Sequence, residues 1–210
     1  MEDGPAALGE AMRAHATEGV GPGPVEGTWC VRRSMPTVLE NRRWRASLAF
    51  VAEGEKELVL GGRAHWLVHG NCSLTPVPLP VSSRFVGASA RAPFLAVLID
   101  VDVASLARIV AAMDPLDDPG PPGHALFVGS VDPAMDAALH RFASLFTDPE
   151  AARVLGPPLL HELLYLALRG PHGPALRRFV EADGAVFGVA RAVHRIEAHL
   201  DEDLDVGALA

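Results

Sequence analysis

Lysine and cysteine are both scarce in this sequence. Lys56 is the only lysine among 18 basic residues, and we interpret the preference for arginine as a compositional habit without functional meaning. The two cysteines, Cys30 and Cys72, are too few for a disulfide framework and form no CxxC pair. We expect both to be small, buried side chains rather than partners in a disulfide.

Long apolar runs and a secretory signal are also missing. The longest runs, residues 94–99 and 163–168, are far shorter than the roughly 20 residues that a membrane-spanning helix needs. Residues 1–27 are first acidic and then rich in glycine and proline, unlike a signal peptide. We therefore expect a soluble, cytoplasmic protein without a membrane partner, whose residues 1–27 form a flexible lead.

A surplus of basic residues is missing as well. The 26 acidic and 18 basic residues give a formal net charge of −8. Affinity for nucleic acid comes largely from Lys and Arg side chains that neutralise phosphates. The chain would repel DNA overall, so we expect any DNA binding to come from a region that this sequence does not contain.

Catalytic motifs are incomplete. The stretch HELLY comes within one residue of the zinc motif HExxH, but Tyr165 stands four residues after His161, where a second histidine is required. Ser130 lacks the second glycine of a G-x-S-x-G nucleophile motif, and no G-x-G-x-x-G or P-loop occurs. The sequence therefore predicts no catalytic residue and no enzyme.

Histidine spacing argues against a metal site. On a strand, His65 and His69 would lie roughly 13 Å apart and could not share one ion. Metal-binding cupins resemble one another in using His-x-His, a Glu and a later His, and this sequence has neither that spacing nor the Glu. His124 could approach only through an unpredicted contact. We predict no metal and no cofactor.

The first part of the chain is rich in strand patterns. Alternation over residues 44–52 predicts a half-buried strand. Residues 53–63 predict a hairpin with one turn near Gly54 and Glu55 and another at Gly61 and Gly62. Residues 92–102 are almost continuously apolar, which is typical of a strand buried on both faces. Short strands at close, regular spacing favour a sandwich or barrel of the jelly-roll type.

Beyond residue 102 the hydrophobic period becomes helical, so the class is α+β. The second predicted helix has Asp132 as its N-cap and Pro133 in its first turn. The predicted helical segments are 103–113, 132–146, 157–170, 175–182 and 186–200.

Two sets of apolar residues are candidates for function. A barrel without catalytic groups can hold a small ligand, and its lining could include aromatic residues on predicted strands, although they could equally fill the core. These aromatic residues are Trp44, Phe50, Trp66 and Phe85. The helix over 157–170 is apolar nearly all round, so its leucines either pack in the core or contact a second subunit. The leucines that we select are Leu160, Leu163 and Leu164.

Three stretches resemble a known family. The segment LAFVAEGEKELVLGGRAHWLVHGNCSLTPVPLPVSSRFVGASARAPFLAVLIDVD is similar to the N-terminal sensing domain of AraC-type transcriptional regulators. HELLYLALRGPHGPALRRF resembles a helix of the same domain, and AVHRIEAHLDEDLDVGALA resembles the opening of the family's DNA-binding domain. The resemblance covers about residues 28–210, with a poor match at VRRSMPTVLE.

The resemblance implies a cupin-like jelly-roll β-barrel over 28–102, a helical dimerisation subdomain over 103–182, and a linker helix with the start of a truncated helix-turn-helix domain over 183–210. It implies a homodimer that senses an unidentified small-molecule effector and reaches DNA only through helix-turn-helix units beyond residue 210. Two alternatives stay open: a stand-alone cupin-type metal-dependent enzyme, and a dimerisation module without a ligand.

Overall fold

A computed structural model describes residues 4–116 and 125–181 of the chain. Within these ranges it contains five helices and ten strands. The helices are α1 Gly4–His15, α2 Val103–Ala111, α3 Pro133–Ser144, α4 Pro149–Arg169 and α5 Gly173–Glu181. The strands are β1 Gly19–Pro22, β2 Thr28–Arg33, β3 Glu40–Trp44, β4 Ser47–Glu53, β5 Glu55–Leu60, β6 Arg63–Val68, β7 Asn71–Thr75, β8 Leu79–Val86, β9 Phe94–Asp100 and β10 Phe127–Ser130.

The strands form two antiparallel sheets. The large sheet has the order β1-β2-β9-β4-β7-β10, and the small sheet has the order β3-β8-β5-β6. Val51 and Ala96 of the large sheet share one hydrophobic cluster with Leu58 and Phe85 of the small sheet, so the two sheets are stacked face to face. The helices pack against the other face of the large sheet. The predicted combination of a strand-rich first part and a helix-rich second part is confirmed.

Strand β4 lies at the centre of the large sheet and is buried on both faces. Leu48 and Phe50 point towards the helices, whereas Ala49 and Val51 point towards the small sheet. The prediction of one half-buried strand over 44–52 is therefore wrong in two respects. The chain crosses from the small sheet to the large sheet between β3 and β4, and the small sheet covers the face of β4 that alternation assigns to solvent.

Two strand predictions are confirmed. Strands β5 and β6 form the expected hairpin, and both of its turn residues have positive φ angles, 56° at Gly61 and 78° at Gly62. This conformation suits the turn type that matches the twist of a hairpin, and glycine adopts it without steric cost. Strand β9 is the nearly continuous apolar strand, and it pairs with β2 and β4 in the middle of the large sheet.

The predicted flexible lead is wrong for residues 4–22. Helix α1 buries Leu8 and Met12 completely against α3 and β4, and the backbone N–H of Gly4 donates a hydrogen bond of 2.7 Å to Asp136. Strand β1 then pairs with β2. Leu8 and Met12 lie four residues apart on one helix face, and burial of that face offsets the weak helix propensity of the neighbouring glycines.

The helices of the second part follow the predicted capping pattern. Asp132 accepts a hydrogen bond of 2.8 Å from Met135 N–H at the start of α3, as expected of an N-cap. Helix α4 begins eight residues earlier than predicted, after Asp148, and continues through Pro157 and Pro158. The predicted start at Pro157 differs from the observed one although proline is normally confined to the first helical turn. The predicted helix over 186–200 lies outside the described residues.

Candidate binding site

A cavity of about 330 Å³ lies between the two sheets. This inter-sheet cavity has a buried floor and an open side where Val20, Arg42 and Arg43 are exposed. Its volume is at the lower end of the range that small-molecule sites occupy. The lining residues are Val20, Trp29, Val31, Arg33, Arg42, Arg43, Trp44, Arg45, Ala49, Val51, Lys56, Leu67, Ser83, Phe85, Phe94, Ala96 and Leu98.

The register of the small sheet sets which side chains reach this cavity. Lys56 on β5 lies opposite Leu67 on β6 and opposite Phe85 on β8, so the three side chains share the inner face. The next row along the strands holds Glu57 and Trp66, and alternation turns that row outward. The floor of the cavity therefore contains an ammonium group between apolar neighbours.

Lys56 is buried without a counter-charge. Its side chain is only 9% exposed, and its Nζ lies 4.9 Å from the ring centre of Trp44 and 4.7 Å from that of Phe85. Within the described part of the chain, no carboxylate forms an ion pair with Nζ. Burial lowers the pKa of Lys56 to about 8, and the positive charges of Arg42 and Arg33 add to this effect. The ring faces compensate for only part of the lost hydration.

The arginines at the cavity differ in how far they are neutralised. Arg45 forms an ion pair of 3.1 Å with Asp100, which also accepts a hydrogen bond of 2.7 Å from the indole of Trp29. Arg42 forms an ion pair with Glu40. Arg33 lies over the ring of Phe85, 5.7 Å from its centre.

The wall chemistry follows from these side chains. Five basic residues line the inter-sheet cavity, and no acidic residue of the described ranges does so. The remaining lining side chains are apolar, apart from Ser83. An electropositive floor within apolar walls suits a ligand that combines a negative group with an apolar body.

The structure brings two of the four predicted aromatic residues to the cavity. Trp44 and Phe85 line it. Phe50 is 1% exposed and faces the helices, and Trp66 is 45% exposed on the outer face of the small sheet, so the expectation that these two line the cavity is wrong. Side chains on a strand alternate between its faces, and alternation alone does not show which face borders the cavity.

Lys56 is the most informative of the lining residues that the sequence analysis did not select. The sequence contains an indication of the orientation of Lys56, because Lys56 and Leu58 are two residues apart on a hairpin strand and therefore share a face. With Leu58 completely buried, that face is the inner one. A lone lysine at such a position in an arginine-rich chain marks a candidate site, whereas its rarity alone indicates no function.

The leucines of α4 differ in exposure. Leu163 and Leu164 are buried among the chain's own helices, whereas Leu160 is partly exposed. Larger apolar exposure occurs near the start of the same helix, at Val154 and Leu155, which are 65% and 56% exposed. A dimer contact through the selected leucines stays a prediction, and Leu160 is the one with surface to contribute.

The histidines do not converge. His69 contacts the carbonyl oxygen of Ala52 at 2.6 Å, and His161 points to solvent from α4. No group of three His, Cys, Asp or Glu residues in the described ranges is placed to hold a metal ion. His124 lies outside these ranges.

Cys30 and Cys72 are both free, and burial raises the pKa of each thiol to about 11.

Comparison with known proteins identifies the fold. Apo ToxT from Vibrio cholerae strain SCE256 matches with a TM-score of 0.57 at 7% identity, covering 90% of this chain and 70% of that one. Unsaturated fatty acid-bound wild-type ToxT from the same strain matches with a TM-score of 0.55 at 6% identity, covering 87% and 66%. At such low identity these matches establish a shared fold only. No curated protein matches the chain in sequence.

A family model provides the family assignment, which structures of such low sequence identity cannot provide. Residues 24–175 match the family described as the AraC-type transcriptional regulator N-terminus. The matched range contains the small sheet, every strand of the large sheet except β1, helices α2, α3 and α4, and all lining residues of the inter-sheet cavity except Val20. None of the described helices is long and apolar enough to cross a membrane. The chain therefore belongs to the AraC-type transcriptional regulators, of which it contains the N-terminal regulatory region.

Proposed function

We propose that this regulatory region senses a small amphipathic anion, a carboxylate with an apolar body, in the inter-sheet cavity. The observation that carries the proposal is the burial of Lys56 between two aromatic rings without a carboxylate partner in residues 4–116 and 125–181. A charged amine in such a place costs free energy until an anion joins it. Ligand binding would remove that cost, which is a direct source of affinity.

The apolar walls supply the second part of the recognition. Phe94, Val51 and Ala96 face the aromatic residues of the small sheet across the cavity. An alkyl or aryl group between them would leave water while its carboxylate reaches Lys56. The fatty acid described for ToxT belongs to this chemical class. Its presence in a protein of the same fold supports the proposal by analogy.

We further propose that the stacked sheets are the cupin-like barrel of this family and that the helical layer mediates homodimerisation. Val154 and Leu155, with Leu160 on the same helix, provide exposed apolar surface for such a contact. The effector would act in the cytoplasm by favouring one dimer arrangement, which requires different affinities for two states. DNA would be bound by helix-turn-helix units beyond residue 210.

Tryptophan fluorescence provides a direct test of effector binding. Trp29 and Trp44 line the cavity, whereas Trp66 lies outside it, so Trp66→Phe leaves only the two cavity reporters. In this background we would titrate oleate, methyl oleate and cinnamate. We expect saturable binding of at least one carboxylate, and a loss on the order of 10–100-fold in Lys56→Met because a charge-assisted contact disappears.

Arg84→Met is the matched control. Arg84 is a basic residue of the same small sheet, on its outer face, where it pairs with Glu57 at 2.5 Å. The control should bind carboxylates as the parent does. Failure of both carboxylates to bind, or equal binding by the Lys56→Met variant, would contradict the proposal.

A further inference from the structure

A second cavity, of about 520 Å³, lies between the ends of α2 and α4 and the helix α5. It shares no lining residue with the inter-sheet cavity. Its described lining consists of Ala112, Met113, Asp114, Pro115, Leu116, Tyr165, Leu168, Arg169, Pro174 and Arg177. We refer to it as the Arg177 cavity.

Arg177 is the unusual residue of this cavity. Its side chain is only 7% exposed, and one Nη donates a hydrogen bond to the backbone carbonyl oxygen of Asp114. Its Nε is buried and has no partner among the described residues. Arginine has five N–H donors and keeps its positive charge throughout the range in which proteins fold. Within residues 4–116 and 125–181, this guanidinium has a buried N–H without an acceptor, and its described partner is a neutral carbonyl oxygen that does not compensate its charge.

A buried, unpaired guanidinium is a costly feature, because the charge has lost its hydration and gained one neutral acceptor. The carboxylate of Asp114 forms no ion pair with Arg177 in the described structure, although its backbone lines the cavity. An anion would compensate both the charge and the unpartnered Nε–H, and the cavity that Arg177 lines has room for one.

A second guanidinium borders the same space. Arg169, in the last turn of α4, lies over the ring of Tyr165 at 5.8 Å from its centre, and both residues line the cavity. Arg169 is exposed and forms no ion pair with any residue of the described ranges. One buried and one exposed guanidinium, with a phenol beside them, form a donor set for the oxygen atoms of a phosphate or carboxylate.

We propose that the Arg177 cavity is a second binding site, distinct from the effector cavity, that takes a small oxyanion such as inorganic phosphate or a simple carboxylate. Arg177 supplies the buried charge and Arg169 closes the site from the solvent side. Bound anion would join the ends of α2 and α4 to α5, three elements that already contact one another. Occupancy should therefore stabilise this part of the fold.

Thermal unfolding of the full 210-residue chain tests the proposal. The Tm would be measured in phosphate, in malonate, and in chloride at the same ionic strength. We expect phosphate or malonate to raise the Tm by about 2–5 °C at concentrations well above the dissociation constant. The rise should disappear in Arg177→Met, which keeps the apolar stem of the side chain.

Arg169→Met serves as a second variant in case Arg177→Met does not fold, because Arg169 is exposed and its loss leaves the core intact. We expect it to lower the apparent affinity at least fivefold. Arg153→Met is the matched control, since Arg153 is an exposed arginine at the other end of the same helix. It should respond to anions as the unmodified chain does.

Two results would overturn the proposal. One is a wild-type Tm that is the same in all three salts, which would mean that the charge of Arg177 is neutralised within the chain itself. The other is an equal response of the wild type and of all three variants, which would indicate non-specific salt stabilisation. Neither result bears on carboxylate binding in the inter-sheet cavity, which the tryptophan titration measures separately.

Discussion

The two faces of the large sheet have different compositions and different surroundings. On the helix side, Leu48, Phe50 and Ile99 are at most 1% exposed and are enclosed by apolar helix surfaces. On the side of the small sheet, the neighbouring positions of the same strands border an open cavity. A sheet face that packs against purely apolar helices becomes part of the core. A sheet face that packs against a layer with charged and aromatic residues can instead border a cavity that is able to bind a ligand.

The largest difference between the faces should appear when an aromatic ring is removed from each. Phe50→Ala should destabilise the protein by about 3–5 kcal/mol, because the ring is completely enclosed and leaves a void. Phe85→Ala should cost about 1–3 kcal/mol, since this ring already borders empty space. Urea unfolding measures both, with similar m-values required for the comparison. Equal costs would mean that the inter-sheet cavity is as closely packed as the helical core.

The second prediction concerns Lys56, which we expect to destabilise the ligand-free protein and to be necessary for carboxylate binding. A pKa of about 8 for Lys56 instead of 10.5 corresponds to a net cost of roughly 3 kcal/mol for the charged amine in the folded chain. Lys56→Met should therefore stabilise the ligand-free protein by up to about 3 kcal/mol at pH 7 while it loses carboxylate binding. A destabilised variant would show that Lys56 is satisfied where it lies.

The pH dependence of this effect has a definite sign. Between about pH 8 and pH 10.5 the unfolded chain keeps the proton on Lys56 while the folded chain releases it, so the folded state gains stability as the pH rises. The advantage of Lys56→Met over the wild type should shrink across this window and be constant below it. Urea unfolding of the pair at several pH values measures the difference, in which the other titrating groups cancel.

On the helix side, the protein should be sensitive to the addition of a single methyl group to α4. Gly156 on α4 is packed so closely that an added Cβ would lie 2.7 Å from two methyl carbons of Val25. An alanine in a helix interior normally stabilises by about 1 kcal/mol, but overpacking here should reverse the sign, with a net loss of about 1–2 kcal/mol. Thermal unfolding of Gly156→Ala checks this. A stabilised variant would show that the contact between α4 and the Val25 segment yields easily.

The smallest effect is expected on the outer face of the small sheet. Trp66 is 45% exposed and lies one residue away from the cavity-lining Leu67. Trp66→Phe should change the stability by less than about 0.5 kcal/mol and carboxylate affinity by less than about twofold. Fluorescence titration against the wild type provides the measurement. A tenfold loss of affinity would place Trp66 in the binding site after all.

The sequence predicted the pattern of elements better than their arrangement. The hairpin of β5 and β6, the central strand β9 and the cap of α3 follow from local rules, because glycine turns, apolar runs and N-cap side chains act over a few residues. The sequence analysis did not predict helix α1, because its stability comes from tertiary burial of Leu8 and Met12. The surrounding glycines are not typical of a helix.

The candidate site shows the same limit. Trp44 and Phe85 were selected as aromatic residues on strands, and the same criterion selected Phe50 and Trp66, which face elsewhere. Only the sheet register distinguishes these pairs, since a shift by one residue exchanges the two faces of a strand. Arg177 could not be singled out either, because its significance depends on burial between three helices.

The most direct test of the central claim uses the fact that Lys56 is the only lysine in the sequence. Incorporation of lysine labelled with ¹³C at Cε gives one NMR signal whose pH titration reports the pKa of Lys56 alone. We predict a pKa of about 8 in the free protein, and a shift upward when oleate or cinnamate is bound, because the carboxylate stabilises the protonated amine. A pKa near 10.5 in the free protein, or one that the carboxylates leave unchanged, would contradict the role of Lys56 as the anchor of an anionic effector.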